Sequence, residues 1–162
     1  MSFTVEDGTG LPDSNAYVGT AFADSYFSDR GVAAWTGDDT TKQQAIIRAT
    51  DYIETVWSSR FRGQPLTTTQ ALAFPRDLFN GLPVQLQKAT AEYALRALTA
   101  TLLPDPTSDD SGLKVVSEVK KVGPIETDKT YAADQNVKPI KAYPAADMLL
   151  RQLCAPAGAI RG

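Results

Sequence analysis

Residues 57–76 read Trp57-Ser58-Ser59-Arg60-Phe61-Arg62-Gly63-Gln64-Pro65-Leu66-Thr67-Thr68-Thr69-Gln70-Ala71-Leu72-Ala73-Phe74-Pro75-Arg76. The stretch begins where one strongly periodic helix ends and stops short of the next. It holds one of the chain's two tryptophans, two phenylalanines and three arginines. Connections between helices usually run about 2–8 residues, and longer ones are packed on themselves, functional or disordered. The aromatic content argues against disorder. The expectation is a connector that folds back and packs Trp57, Leu72 and Phe74 against the helices on either side. Thr67 and Gln70 have capping-box spacing, which suits one helical turn through Gln70-Ala71-Leu72. Pro75 ends it, because the residue before a proline is pushed out of the helical region.

Outward from this connector the pattern is helical. Before it, Ile46, Ala49, Ile53 and Val56 recur at three and four residues, and Trp57 extends the stripe. Thr40 and Gln43 have the spacing of a capping box for that helix. Arg48, Asp51 and Glu54 lie off the stripe and read as its solvated face. A first helix is predicted over residues 21–30, with Thr20 as cap and Gly31 as stop. Trp35, in the loop that follows, is expected to tuck against it. After the connector, Pro83 suits the first position of a third helix with the stripe Val84, Ala91, Leu95, Leu98 and Leu102, stopped by Pro104. A last helix starts at Pro144 and carries Met148, Leu149, Leu150 and Leu153. The fold class is therefore mainly α, a small bundle of about four helices. A short β-hairpin or extended arm and extended termini complete it.

The chain divides into an N-terminal arm (1–19), a helical core (20–112), a hairpin or extended arm (113–143), and a C-terminal helix with a tail (144–162). The first segment is rich in Gly, Asp and Pro and has little structure of its own. In the third, Val115, Val116, Val119, Val122 and Ile125 favour strands, and Gly123-Pro124 breaks the run. Lys114, Lys120 and Lys121 make it locally basic, as a guarded strand edge or as a contact to nucleic acid. Asp105, Asp109 and Asp110 lack the spacing of a calcium loop.

The 162 residues suit one domain and suffice for a core without staples. A single cysteine, Cys154, precludes an internal disulfide and fits a reducing compartment. Its expected role is a small buried hydrophobe near a helix end. There is no histidine, the commonest general base and metal ligand. No signal segment or membrane-length apolar run is present, so a cytoplasmic protein is expected. The formal net charge is −3, so DNA contact would have to be local.

No phosphate loop, nucleophile elbow or Cys/His metal spacing occurs. The expectation is a protein that is not an enzyme and that takes neither cofactor nor metal. One chemical constellation remains: Trp57, Arg60, Phe61, Arg62, Phe74 and Arg76. Aromatics interleaved with arginine can stack bases and neutralise phosphates. The competing reading is a core tryptophan followed by cations at the negative end of a helix, and elementary physics favours it.

Several stretches resemble a tailed-bacteriophage family. They are residues 5–11 (VEDGTGL), 15–18 (NAYV), 23–27 (ADSYF), 49–53 (ATDYI), Arg62-Gly63, 69–76 (TQALAFPR) and 121–125 (KVGPI). Trp57, Arg62, Gly63, Gln70, Phe74, Pro75 and Arg76 form its most specific signature. The family is labelled DnaT-like single-stranded-DNA-binding, and it also resembles head-to-tail connector (adaptor) proteins. The adaptor resemblance implies a homo-oligomeric ring, typically of twelve copies, at the virion neck. Its partners would be the portal protein, a tail or neck protein, and double-stranded DNA passing without specific binding. The acidic balance, the apolar helices and the arms favour the adaptor. The alternative is a single-stranded-DNA-binding replication accessory protein using Arg60, Phe61, Arg62 and Arg76.

Overall fold

The spine of the protein is α2, Asp39–Trp57. In this computed structural model residues 2–103, 115–121, 126–131 and 141–155 are described. Asp38 caps α2, its carboxylate accepting from the Thr41 N–H at 2.8 Å. The cap expected at Thr40 is thus two residues upstream. Ala45, Ile46, Ala49, Tyr52, Ile53 and Trp57 are buried along one side, the face expected from their spacing.

Helix α1, Thr20–Ser28, buries Ala23 and Phe27. Its cap position is Gly19, with no side-chain cap bond, so Thr20 does not cap it. Gly31 follows at φ 62°, a left-handed conformation that a Cβ disfavours. Trp35 packs on Phe27 with ring centroids 5.2 Å apart, as expected, and its indole N–H donates to Asp24 at 2.7 Å.

Helix α3, Val84–Ala97, starts directly after Pro83 and ends seven residues before Pro104. Its buried residues are Leu86, Ala89, Thr90, Ala91, Tyr93, Ala94 and Ala97, whereas Val84 is exposed. Of the expected stripe, Ala91 and Leu102 are buried, Leu95 and Leu98 pack partly buried against the core, and Val84 alone is exposed. The alanine-rich side is the one that lets α2 approach closely, and α3 packs against both α2 and α4. Arg48 of α2 is exposed, yet its guanidinium donates to the Ala97 carbonyl at 2.8 Å, satisfying the end of α3.

Helix α4, Pro144–Arg151, has proline at its start and buries Ala146 and Leu150, while Met148 points to solvent. Asp147 pins it to the bundle: it accepts from the Tyr93 hydroxyl at 2.5 Å and the Tyr143 N–H at 3.0 Å. The rings of Tyr52, Tyr93 and Tyr143 meet pairwise at 4.8–5.7 Å. Burial pushes the Tyr52 hydroxyl up to about 12, with Asp147 and Tyr143 adding to it.

The N-terminal segment is extended and bonds its backbone partly within itself and partly to the connector, where the Ala71 N–H donates to the Leu11 carbonyl at 3.0 Å. Glu6 N–H donates to the Ala16 carbonyl at 2.8 Å, and Asn15 N–H to Thr4 at 2.9 Å. The buried Glu6 carboxylate collects the N–H groups of Gly8, Gly10 and Leu11 and the Ser14 hydroxyl. Ala16, Tyr17 and Val18 then enter the core.

These elements belong to one unit, Met1–Leu102 with Ala142–Gly162; a second unit spans Leu103–Lys141. Within the second, β1 (Val115–Lys121) and β2 (Glu126–Tyr131) pair antiparallel, Lys121 opposite Glu126, with an irregularity between Val115 and Ser117. β1 carries three of the strand formers read from the sequence, Val115, Val116 and Val119, whereas β2 carries none of them. The aspartates at 105, 109 and 110 and the Gly123-Pro124 break lie outside the described residues.

Candidate nucleic-acid interface

The connector after Trp57 is built by three short pairings. A 3-10 turn, Ser58–Arg60, leads into Phe61, which bridges antiparallel to Cys154. Arg62 N–H donates to the Leu153 carbonyl and Ala155 N–H to the Arg60 carbonyl, both at 3.1 Å. The chain then doubles back, with Pro65 opposite Arg76: Leu66 N–H donates to Pro75 and Asp77 N–H to Gln64, each at 3.0 Å. Between these limbs Thr67 and Gln70 exchange the two hydrogen bonds of a capping box, at 2.9 and 3.1 Å, although no helical turn follows. The Gln70 amide instead donates to the Leu72 and Pro75 carbonyls, closing the loop on itself. The Phe74–Pro75 peptide is cis.

The signature residues divide into two roles. Trp57 and Phe74 are 5% and 0% exposed, and Pro75 is fully buried, so these three are core. Arg76 is 8% exposed, and its guanidinium donates to the Arg62, Gly63 and Ala73 carbonyls at 2.6–3.2 Å. It ties the two limbs together. Gly63 sits at φ +79°, where an added Cβ would lie 2.4 Å from the Asp77 carboxylate and 3.0 Å from Leu78. Arg62, by contrast, is exposed.

Beside this scaffold lies an open groove of about 1300 Å³. Trp57, Arg60, Phe61, Arg62 and Arg76 line it from the connector, and Arg151, Gln152 and Cys154 from the end of α4. Four of its described lining residues are arginines and none is a carboxylate. Arg60, Arg62 and Arg151 are exposed, and Leu78 is 66% exposed at the rim. The three exposed guanidiniums act on one sulfur: burial pushes the Cys154 thiol up, and Arg60, Arg62 and Arg151 each pull it back. Cys154 is half-buried and its thiol donates to the Leu150 carbonyl at 3.3 Å, so it packs near a helix end as expected.

The four residues considered for DNA contact are therefore brought together but are not equivalent. Arg60 and Arg62 are exposed in the groove lining, and Arg62 also donates to the Gln152 carbonyl at 3.1 Å. Phe61 is 5% exposed and meets Phe74 edge-on at 4.9 Å, so it cannot stack a base. Arg76 spends its donors on the backbone. Sequence reasoning missed Arg151 and Gln152, which lie about ninety positions downstream; the pairing of Phe61 with Cys154 and the bond from Arg62 to the Gln152 carbonyl bring them here. Among the described residues no three carboxylate or thiol side chains gather as a metal site would require.

A family model described as "Putative DnaT-like ssDNA binding protein" matches residues 1–162. The chain belongs to that family. No curated protein and no solved structure matches it. The match corrects the reading of the chain as a phage head-to-tail connector, together with the neck ring and the virion role attached to it. The family description points to single-stranded DNA instead. That expectation leaned on an acidic whole-chain balance. Net charge averages over the surface and conceals a local groove whose described lining residues carry charge of one sign only.

Proposed function

We propose that this protein is a single-stranded-DNA-binding accessory protein of replication and that it holds the strand in the groove between the connector and the end of α4. The observation that carries this reading is the groove's lining: four arginines and no carboxylate among its described residues, in a chain of net charge −3. Arginine presents a planar fork of donors that matches phosphate oxygens and stays charged at any working pH. Arg60, Arg62 and Arg151 are the phosphate contacts. Arg76 and Gly63 shape the turn that presents Arg60 and Arg62. The concave, open form suits a flexible single strand, and the family description supports that ligand.

The test is fluorescence anisotropy with a labelled oligo-dT at low salt, comparing the native chain with the triple variant Arg60→Ala/Arg62→Ala/Arg151→Ala. All three side chains are exposed, but Arg62 also donates to the Gln152 carbonyl at 3.1 Å, so circular dichroism and melting are read on every variant and only a folded one is scored. Its affinity should collapse. Undiminished binding by a folded triple variant would sink the assignment of the groove.

A further inference from the structure

Resting on that reading, we infer that the groove grips the sugar–phosphate backbone alone and leaves the bases facing solvent. Proteins that bind single strands without sequence preference usually combine a basic track with aromatic platforms on which bases stack. This groove has the first and lacks the second. Its described aromatic lining residues are Trp57 and Phe61, each 5% exposed.

The aromatic faces nearest the groove are already covered. The Arg60 guanidinium lies over the Trp57 ring at 5.2 Å from its centroid, and Arg62 lies over Phe79 at 5.8 Å. A base could stack there only by displacing the cations that attract its phosphate. Phe61 is held edge-on by Phe74, which in turn packs against Phe79 at 5.3 Å. Phe61 and Phe74 belong to the core, and Phe79, partly buried against it, lies beneath Arg62. Gln64 and Gln152, also in the lining, are polar groups able to bond phosphate or sugar oxygens. Leu78 offers an apolar rim suited to a deoxyribose.

Two consequences follow. The site takes any single-stranded polynucleotide regardless of base sequence, and the bound strand keeps its bases free to pair or to be read by another protein. This suits an accessory that passes a strand on more than one that seals it.

The experiment compares an oligo-dT with an oligonucleotide of equal length made of stable abasic residues, which keeps every phosphate and removes every base. A stacked base is worth on the order of 5- to 100-fold in affinity. Backbone-only recognition predicts affinities within about fivefold of each other. A larger loss on the abasic strand, with oligo-dT still bound, overturns this inference and leaves the proposed function standing. If neither strand binds, both fall. As a second readout, thymines of bound oligo-dT should react with permanganate as fast as those of the free strand; protection of the thymines would also overturn the inference.

Discussion

The hydroxyl of Tyr17 donates to the Glu54 carboxylate and accepts the Phe74 N–H at 3.2 Å, while the other Glu54 oxygen accepts the Ala73 N–H at 3.0 Å. Two side chains from distant parts of the sequence thus hold the return limb of the connector against α2. Tyr17→Phe removes a buried donor and a buried acceptor together. An unsatisfied buried polar group costs about 1–3 kcal/mol, and the change strands the Phe74 N–H. The expected result is a loss of at least about 1 kcal/mol, read as a lower urea midpoint with unchanged slope.

The same pair sets a pH dependence. Burial raises the Glu54 carboxyl above its ordinary value of 4.5, against the opposing pull of Tyr17, the Ala73 N–H and Arg76. Between the unfolded value and the higher folded value, the folded chain binds more protons than the unfolded one. Stability therefore falls as pH rises through that window and levels off above it. Glu54→Gln cannot titrate and should lack this fall. Other carboxylates contribute equally to both chains, so the difference between their urea midpoints isolates the effect. It should move in favour of Glu54→Gln as pH rises from about 4.5. A difference that stays flat, or moves the other way, would contradict the assigned direction.

Glu54 also marks a limit of sequence reading. Helical spacing placed it with Arg48 and Asp51 on a solvated face, and Asp51 is indeed exposed. A helix shows which residues share a side but not what will lie across it, and Glu54 faces a loop that returns from nineteen residues away. The stripes of α2 and the stop at Gly31 were legible because local spacing and backbone conformation decide them. The buried face of α3 was legible only in part: Ala91 belonged to the expected stripe and is buried, but Val84 is exposed, because which side of a helix is covered depends on its neighbours. At the groove, Arg60 and Arg62 were visible as consecutive basic residues after a helix. Arg151 carries no local signal; it joins them through tertiary contacts, among them the pairing of Phe61 with Cys154 and the bond from Arg62 to the Gln152 carbonyl. The connector's aromatics suggested stacking platforms, but their burial places them in the core.

Gly63 is constrained twice, by its left-handed backbone and by the nearness of Asp77. Gly63→Ala should strain the backbone and push the Asp77 carboxylate from the Gln64 N–H that it accepts at 2.8 Å. A loss of about 1–3 kcal/mol is expected. It should appear in thermal melting, with a smaller loss in Gly63→Ala/Asp77→Ala, where the clash with the carboxylate is gone.

Arg76 and Arg151 line the same groove yet should fail differently. Arg76→Ala leaves the carbonyls of Arg62, Gly63 and Ala73 without their donor and removes the link between the two limbs. It should lower the melting temperature by several degrees, consistent with a loss of about 1–3 kcal/mol. Arg151→Ala touches only an exposed side chain and should leave melting within the error of repeated scans. Oligo-dT affinity should fall in Arg151→Ala at native stability. If melting falls equally in both variants, Arg151 has a structural role and does not belong among the phosphate contacts.

The salt dependence of binding should report the number of arginines engaged. Each phosphate neutralised on a single strand releases condensed counterions, giving a slope of roughly −0.7 in log affinity against log salt per contact. With Arg60, Arg62 and Arg151 as the exposed cations of the groove, three contacts give a slope of about −2. That corresponds to a loss of ~20-fold between 50 and 200 mM salt. Each single alanine variant should reduce the slope by about 0.7, and Arg76→Ala should leave it unchanged in the fraction that stays folded, because its guanidinium is committed to backbone carbonyls. A native slope much steeper than −2 would mean that cations beyond this groove, such as the lysines at 114, 120 and 121, share the strand.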